Sequence, residues 1–403
     1  MGGDPGSPAE PPGRRLTARD LNRATLARQL LLARAAIDPV TAIGRVVALQ
    51  AQEPASPYIA LWTRLAGFDP DRLDAVITAR RVVKATLMRM TLHMVTAADY
   101  PAFWTAHAPT FRRTRVLHLG LDALGVESAE VDRLVEAGLT HATEPRSNAE
   151  MTAYLSALGG PLGTRDWWWA IRGMTPFVHA AGHTPVRPAW SYGPRPAHVA
   201  ARSWLPPGDR NLAIDPDAAL DTLVRRYLGG FGPATVGDVA QFTRVERSRV
   251  RASVARLEPT LRVLVDAAGR ELLDVPDGVL PGEDAHAPAR FLPMWDSVLL
   301  AYEDRARLIP PAYRAAVIRS NGDVLPTFLV DGLVAGVWRA ELVGGRTEII
   351  YSPFGQLPRD VRAELDAEAE TLARFVEPHE PEVYRRYRRW WADIARVTDL
   401  APT

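Results

Sequence analysis

Residues 235–275 read TVGDVAQFTRVERSRVRASVARLEPTLRVLVDAAGRELLDV and carry the clearest structural signal in the chain. Thr235 with Asp238 and Thr243 with Glu246 match capping boxes, in which a hydroxyl and a carboxylate satisfy the first free amides of a helix. They predict two successive helices, and a helix with an apolar stripe precedes them. The alternating segments on either side of Ala-Ala-Gly-Arg predict a β-hairpin. Three helices followed by a hairpin have the plan of a winged helix, a relative of the helix-turn-helix modules that bind DNA.

The N-terminal part of the chain follows the same plan. Four short helices are predicted, including one that runs to about Ala35 and one from Pro39 that ends near Gln50. The segment from Met88 to Val95 then alternates apolar and polar residues, which predicts a half-buried strand. A strand that closes a helical module is typical of a wing.

The middle of the chain contains a further, less regular copy. Ser147 with Glu150 is a capping box that predicts a helix start. Residues 178–204 are rich in Pro, Gly, His and Arg, and predict a long irregular wing. Beyond residue 285 the pattern changes to strands, and Asp331-Gly332 predicts a hairpin turn. Two charged helices, from Pro358 to Val376 and from Pro381 to about Val397, are expected last.

The expected fold is therefore α+β and mainly α, with about three tandem winged helices, a β-rich C-terminal region and terminal helices. The predicted divisions are a disordered tail (1–15), an N-terminal winged-helix module (16–127), a second winged helix with a long wing (128–210), a third winged helix (211–285) and a C-terminal region (286–403).

The composition excludes several kinds of chemistry. The chain has 403 residues, no cysteine, and a net charge of +1 from 48 basic and 47 acidic residues. Without cysteine there is no disulfide framework, thiol catalysis or Cys-based zinc site. Because Lys84 is the sole lysine, Schiff-base chemistry is limited to that residue and the chain terminus. No long apolar run or signal peptide is present, so we expect a soluble cytoplasmic protein.

Five segments, in this order, resemble one family: LQAQEP (49–54), TLMRMTLHMV (86–95), FGPAT (231–235), FLPMWDSVLLAYEDR (291–305) and LVDGLVAGVW (329–338). They are similar to the AlkZ/YcaQ superfamily of winged-helix DNA glycosylases, and the Gln-x-Gln form is that of the AlkZ branch. The resemblance implies tandem winged helices around a basic DNA channel. It also implies excision of alkylated purines, including bulky adducts and interstrand crosslinks left by genotoxic natural products. Gln50 and Gln52 match the catalytic pair, and Arg89, Thr91 and His93 would line the same pocket and contact DNA.

The residue types suit such a reaction. A purine alkylated at N7 or N3 is already cationic, so its departure needs no general acid. What remains is to place a water and to stabilise an oxocarbenium-like sugar. Two amide carbonyls can orient a water, and their dipoles favour nearby positive charge. Since glutamine does not take up a proton at neutral pH, the pair favours N7-alkylguanine and N3-alkyladenine over uracil or undamaged bases, and water over a lyase mechanism.

Further DNA contacts are expected from Arg112 and Arg113, which follow the catalytic module, and from Arg195 and His198 in the long wing. Double-stranded DNA is the expected partner of a monomer, with no metal, cofactor or membrane. Each assignment has a structural alternative. Exposed arginines are usually solvated, and His93 fits a hydrogen-bonded structural histidine equally well.

Three other motifs also have more than one interpretation. Glu53 could act as a base, but a surface salt bridge is the simpler interpretation. His179 and His183 have a metal-ligand spacing but lack the accompanying residues of a zinc motif. At least one of Trp167, Trp168 and Trp169 must belong to the core, because consecutive residues cannot share one helical face.

The alternative function is a non-catalytic winged-helix regulator that binds DNA. A hydrolase of small molecules is a weaker third candidate. The glutamine pair separates the first two, because a protein that only binds DNA has no chemical use for it.

Overall fold

The computed structural model describes residues 15–120, 126–158, 167–181, 190–193 and 195–391. Over these ranges helices predominate, and three antiparallel sheets of six, four and two strands accompany them. This confirms the α+β, mainly helical class. One large cluster of buried apolar side chains extends through all parts of the chain.

The N-terminal part begins as predicted. Thr17 and Asp20 form a capping box, and Leu16 packs with Leu21. The helix ends at Arg28 rather than Ala35, because Leu30 adopts a left-handed φ of 57°. The elements here are α1 (Ala18–Arg28), α2 (Pro39–Arg45), β1 (Leu49–Gln50), α3 (Ser56–Arg64), α4 (Pro70–Thr78), β2 (Val82–Thr86), β3 (Leu92–Thr96) and α5 (Tyr100–Leu119).

The expected continuous strand from Met88 to Val95 is wrong. Arg89 and Met90 both have a φ of 56° and belong to a tight turn between β2 and β3. The alternation of residue types extended into this turn, and periodicity alone does not report the left-handed backbone. The turn brings the amide of Leu92 to the start of β3, where the site described below uses it.

The middle part contains α6 (Ser128–His141), β4 (Arg146–Ser147), α7 (Asn148–Ala157), α8 (Trp167–Ile171), β5 (Phe177–Ala180), β6 (Ala197–Ala200) and α9 (Ala201–Trp204). The Ser147 capping box is confirmed. The irregular wing predicted over 178–204 is wrong at its start, where β5 forms, and at its end, where β6 and α9 follow each other. Elements of four residues are too short to show a period. Strand β5 pairs with β2, so six strands join in the order β1-β3-β2-β5-β6-β4.

The elements predicted for the third winged helix, three helices and a hairpin, occur in that order: α10 (Pro216–Phe231), α11 (Val236–Thr243), α12 (Arg247–Leu257), β7 (Arg262–Val265) and β8 (Glu271–Asp274). The Thr235 capping box forms. The box predicted for Thr243 and Glu246 does not, because the Thr243 hydroxyl donates to the Val239 carbonyl at 2.7 Å and Glu246 is itself the N-cap.

The C-terminal part contains β9 (Arg290–Leu292), α13 (Arg314–Val317), β10 (Thr327–Val330), β11 (Leu333–Val343), β12 (Arg346–Pro353) and α14 (Arg359–Val376). The turn at Asp331-Gly332 and the helix to Val376 are confirmed. Of the last predicted helix, Arg385–Trp390 is a 3-10 helix, and positions beyond 391 lie outside the described residues. None of the helices in the described ranges is long and apolar enough to cross a membrane.

Candidate functional site

The glutamine pair lies at the edge of the six-stranded sheet, with Gln50 in the edge strand and Gln52 in the bend that follows it. Helix α2 ends at Arg45, five residues before Gln50, and Val47 adopts a φ of 74°. Gln50 is in β1, directly opposite His93 of β3. Its Oε1 accepts a hydrogen bond from the Gln52 amide at 2.7 Å, and Gln52 Oε1 accepts one from the Leu92 amide at 3.1 Å. The pair is thus held to the start of β3.

The two glutamines differ in their access to solvent. Gln50 is 4% exposed, whereas Gln52 is exposed and lies where two cavities of about 480 Å³ and 390 Å³ meet. The residues shared by both cavity walls are Gln52, Leu92, His179 and Pro196. Gln50 lines neither cavity, so it supports Gln52 from beneath.

The cavity floor is a row of cross-strand neighbours. Lys84 of β2 lies opposite His179 of β5, which lies opposite His198 of β6. Directly opposed residues share a face of a sheet. Burial lowers the pKa of Lys84 to about 8, and its Nζ lies 5.3 Å from the Tyr192 ring. Burial also holds the pKa of both histidines below the ordinary value, to about 3 for His198, so their rings are neutral at pH 7.

His93 is a satisfied structural histidine in this fold. Its ring is fully buried, Nδ1 lies 3.0 Å from the Thr91 carbonyl, and Nε2 lies 3.3 Å from the Arg89 guanidinium. Because the carbonyl accepts and the guanidinium donates, Nδ1 carries the proton and Nε2 accepts. Burial and the charge of Arg89 keep the pKa of His93 well below 6.5. The hydroxyl of Thr91 donates to the Met88 carbonyl at 3.2 Å.

The other predicted DNA contacts lie in different places. Arg112 forms an ion pair with Asp132 at 2.6 Å, and Arg113 pairs with Glu246, so both tie α5 to neighbouring helices. Arg195 is exposed near the cavity. His198 is 6% exposed in the cavity wall, away from the outer surface of a wing.

Several cavity residues were absent from the sequence-based site. Arg115 and Arg172 line the larger cavity, and Trp169, 39% exposed, lies under the Arg115 guanidinium at 4.4 Å. Trp167 and Trp168 are core residues, as the helical geometry required. For Lys84, the sequence offered one signal, namely that it is the sole lysine of the chain.

Glu53 follows Gln52 in the chain and is largely buried. Its carboxylate pairs with Arg386 and accepts from the Tyr387 hydroxyl at 2.9 Å. The predicted salt bridge of Glu53 is therefore confirmed, but its carboxylate is buried rather than on the surface. Within the described ranges no group of three or more His, Asp or Glu side chains could hold a metal ion, and His183 lies outside those ranges.

Comparisons with known proteins agree with this architecture. A family model described as DNA glycosylase AlkZ-like matches residues 43–375. A protein of Streptomyces sahachiroi, named interstrand DNA cross-link repair glycosylase, is 24% identical over 365 residues, which are 86% of this chain and 93% of that protein. The solved structure of Streptomyces sahachiroi DNA glycosylase AlkZ matches with a TM-score of 0.76 and 22% identity, over 90% of this chain and 97% of that one.

Proposed function

The chain belongs to the family of AlkZ-like DNA glycosylases, and we propose that it hydrolyses the N-glycosidic bond of cationic alkylated purines in double-stranded DNA. N7-alkylguanine and N3-alkyladenine are the proposed lesions, and bulky adducts and interstrand crosslinks are included among the substrates. The Streptomyces relative is named an interstrand DNA cross-link repair glycosylase, which supports the last point.

The observation that carries the proposal is the hydrogen-bonded glutamine pair at the cavity edge. The side-chain oxygen of Gln52 is fixed by a hydrogen bond from the Leu92 backbone amide. The backbone amide of Gln52 in turn donates to the side-chain oxygen of Gln50. A carbonyl oxygen has two lone pairs, so the exposed Gln52 side chain keeps one for a water. The carbonyl dipoles that align this water at C1′ also stabilise the positive charge that develops on the sugar. Gln52 therefore orients the water, and Gln50 holds Gln52 in position.

The surroundings leave the reaction to these neutral amides. Glu53, the nearest carboxylate in sequence, is engaged by Arg386 and Tyr387. The buried histidines are neutral and do not supply an imidazolium acid at pH 7. A cationic purine needs neither a strong base nor an acid to leave. We further propose that the protein acts as a monomer and that it serves DNA repair or self-resistance to a genotoxin.

A gel assay tests the proposal. A duplex with a single N7-methylguanine is incubated with the enzyme and then treated with alkali, which cleaves abasic sites. We expect cleavage only after alkali, and a loss of at least a hundredfold in single-turnover rate for Gln52→Ala and for Gln50→Ala. Gln356→Ala, at an exposed glutamine outside both cavities, is the matched control and keeps the wild-type rate.

Other outcomes would contradict the scheme. Cleavage without alkali would indicate a lyase step. Excision that survives both glutamine substitutions would exclude the pair as the catalytic groups. Tight DNA binding without excision of N7-methylguanine or of a bulky N7 adduct would favour the regulator instead.

A further inference from the structure

The cavity beside Gln52 has a positive lining that the reaction above does not use. Its smaller part contains two carboxylates that already have partners: Glu53 pairs with Arg386, and Glu380 accepts from the Trp190 indole. Three cations also line its two parts, namely Lys84, Arg115 and Arg172. None of the carboxylates in the described ranges forms an ion pair with any of these three residues. Lys84 is 5% exposed, and a buried cation is costly unless an opposite charge accompanies it. A ligand that brings negative charge would supply that partner.

The same lining opposes a cationic purine as the occupant. Both Lys84 and Arg172 are close to His179 in the cavity. Burial is the main reason that the pKa of His179 is low, and the charges of these two residues lower it further. Arg115 and Arg172 are also close enough for the charge of one to lower the pKa of the other. A purinium ring placed among these groups would be repelled by each. The excised base itself is therefore the wrong ligand for this space.

Aromatic surface accompanies the charge. Trp169 lies behind two residues of the larger cavity wall: its ring is 4.4 Å from the Arg115 guanidinium and 6.1 Å from the His118 ring. Phe177 lines the same cavity, and Trp190 lines the smaller one. Flat aromatic ligands stack on such side chains.

A buried ring nitrogen without a protein partner lies behind the same cavity wall. His198 Nδ1 is buried and has no hydrogen-bond partner among the described residues. Buried polar atoms are normally paired, and His198 lies in the cavity wall beside His179. Because Nδ1 itself has no accessible surface, the groups that would meet a ligand in this cavity are the Arg115 and Arg172 guanidinium groups. Guanidinium groups bind carboxylate oxygens in a bidentate way.

From these features we infer that the Lys84–Arg115–Arg172 cavity receives the non-nucleobase part of a bulky adduct, and that this part is an aromatic group bearing a carboxylate or a similar oxyanion. The inference rests on the proposed function and adds a substrate class to it. The purine stays at the Gln52 edge while its substituent enters the cavity, so one lesion satisfies both surfaces.

Two matched ligand pairs test this. Free 2-anthracenecarboxylate and its carboxamide are titrated into the full chain by fluorescence anisotropy. Duplexes with N7-(4-carboxybenzyl)guanine or N7-(4-carbamoylbenzyl)guanine are compared for kcat/KM. We expect the carboxylate to be preferred at least tenfold in both assays. The preference should fall below threefold in Arg172→Met and in Arg115→Met. Two variants are used so that the test still stands if one of them fails to fold. Arg133→Met, at a helix surface outside the cavity, should retain it.

The outcomes separate this inference from the proposed function. Equal affinity for carboxylate and carboxamide, or a preference unchanged in both cavity variants, would overturn the inference even if N7-methylguanine is excised. Displacement of the free carboxylate by an undamaged duplex would also overturn it, because a backbone phosphate would then be the occupant. A tenfold preference in the free-ligand assay without excision of any lesion would support the oxyanion site and refute the proposed reaction.

Discussion

At the scale of single residues, the sole lysine is the most unusual group in the molecule. Lys84 lies on the cavity floor with Tyr192 against it and two neutral histidines beyond it on the same sheet face. Arginine stays charged when buried, but lysine can lose its proton instead. Burial lowers the pKa of Lys84, and a bound anion would raise it again. A ligand with negative charge would therefore increase the fraction of Lys84 that is protonated.

This burial predicts an unusual dependence of stability on pH. The pKa of Lys84 is about 8 in the folded chain and near its ordinary 10.5 when unfolded. Between these values the unfolded chain binds more protons, so the free energy of unfolding rises with pH. The gain across the window is about 3 kcal/mol, and below pH 8 the cost of the buried ammonium is felt in full.

Urea denaturation of wild type and Lys84→Met at pH 7 and pH 10.5 measures this effect. We expect wild type to gain stability relative to the variant as the pH rises, because only wild type carries the titrating amine. Tyrosines and other groups titrate in both chains and cancel in the difference. Parallel curves for the two proteins would contradict the assignment.

At the scale of elements, the β10–β11 turn acts as a contact with α1 rather than a free hairpin end. Asp331 and Gly332 have φ values of 47° and 79°. Asp331 pairs with Arg23 of α1, and the Gly332 carbonyl accepts from Asn22 at 2.9 Å. The turn residues that close this hairpin therefore also attach the C-terminal sheet to the first helix.

Gly332→Ala tests the contact. A Cβ there would lie 2.5 Å from Asn22 Oδ1 and 2.6 Å from Leu26 Cδ1, in addition to the cost of the positive φ. Gly344, at the β11–β12 turn, has a φ of 58° but no atom within 4 Å of an added Cβ. We expect Gly344→Ala to cost about 1–2 kcal/mol and Gly332→Ala about 2 kcal/mol more. Equal losses in thermal or urea denaturation would show that the turn does not depend on α1.

Local signals predicted elements where the determining contacts are close in sequence. The capping boxes at Thr17, Ser147 and Thr235 all form. The turn at Arg89 and Met90 was missed, because its positive φ values follow from tertiary packing and neither residue type announces them.

In the candidate site, too, residues that are close in sequence could be predicted, whereas residues that meet only in the fold could not. Gln50 and Gln52 were found because both lie in one short motif. Lys84, Arg172 and His179 come together only when β2 pairs with β5, and that pairing joins segments about ninety residues apart. Four-residue strands carry too little pattern to predict such a pairing.

At the scale of the whole molecule, α1 connects parts that are distant in sequence. Arg28 forms two hydrogen bonds with Asp274 of β8, at 2.6 and 2.9 Å, and Gln29 donates to the Gly230 carbonyl of α10 at 2.8 Å. With the Arg23–Asp331 contact, one helix thus touches the third winged helix and the C-terminal sheet. A continuous core joins the same regions. We therefore expect the chain to unfold as one unit.

Asp274→Asn tests this coupling. Asp274 is fully buried and accepts from both Arg28 and Arg262, so the substitution leaves a buried guanidinium without its counter-charge. Such a loss costs about 3–5 kcal/mol. Asp221→Asn is the matched control, since Asp221 pairs with the more exposed Arg256 and a surface pair contributes at most about 1 kcal/mol. In urea denaturation followed by circular dichroism and by tryptophan fluorescence, Asp274→Asn should shift a single transition to lower urea with coincident curves. A second, separate transition would mean that the third winged helix detaches from α1 before the rest unfolds, and the connecting role of α1 would be refuted.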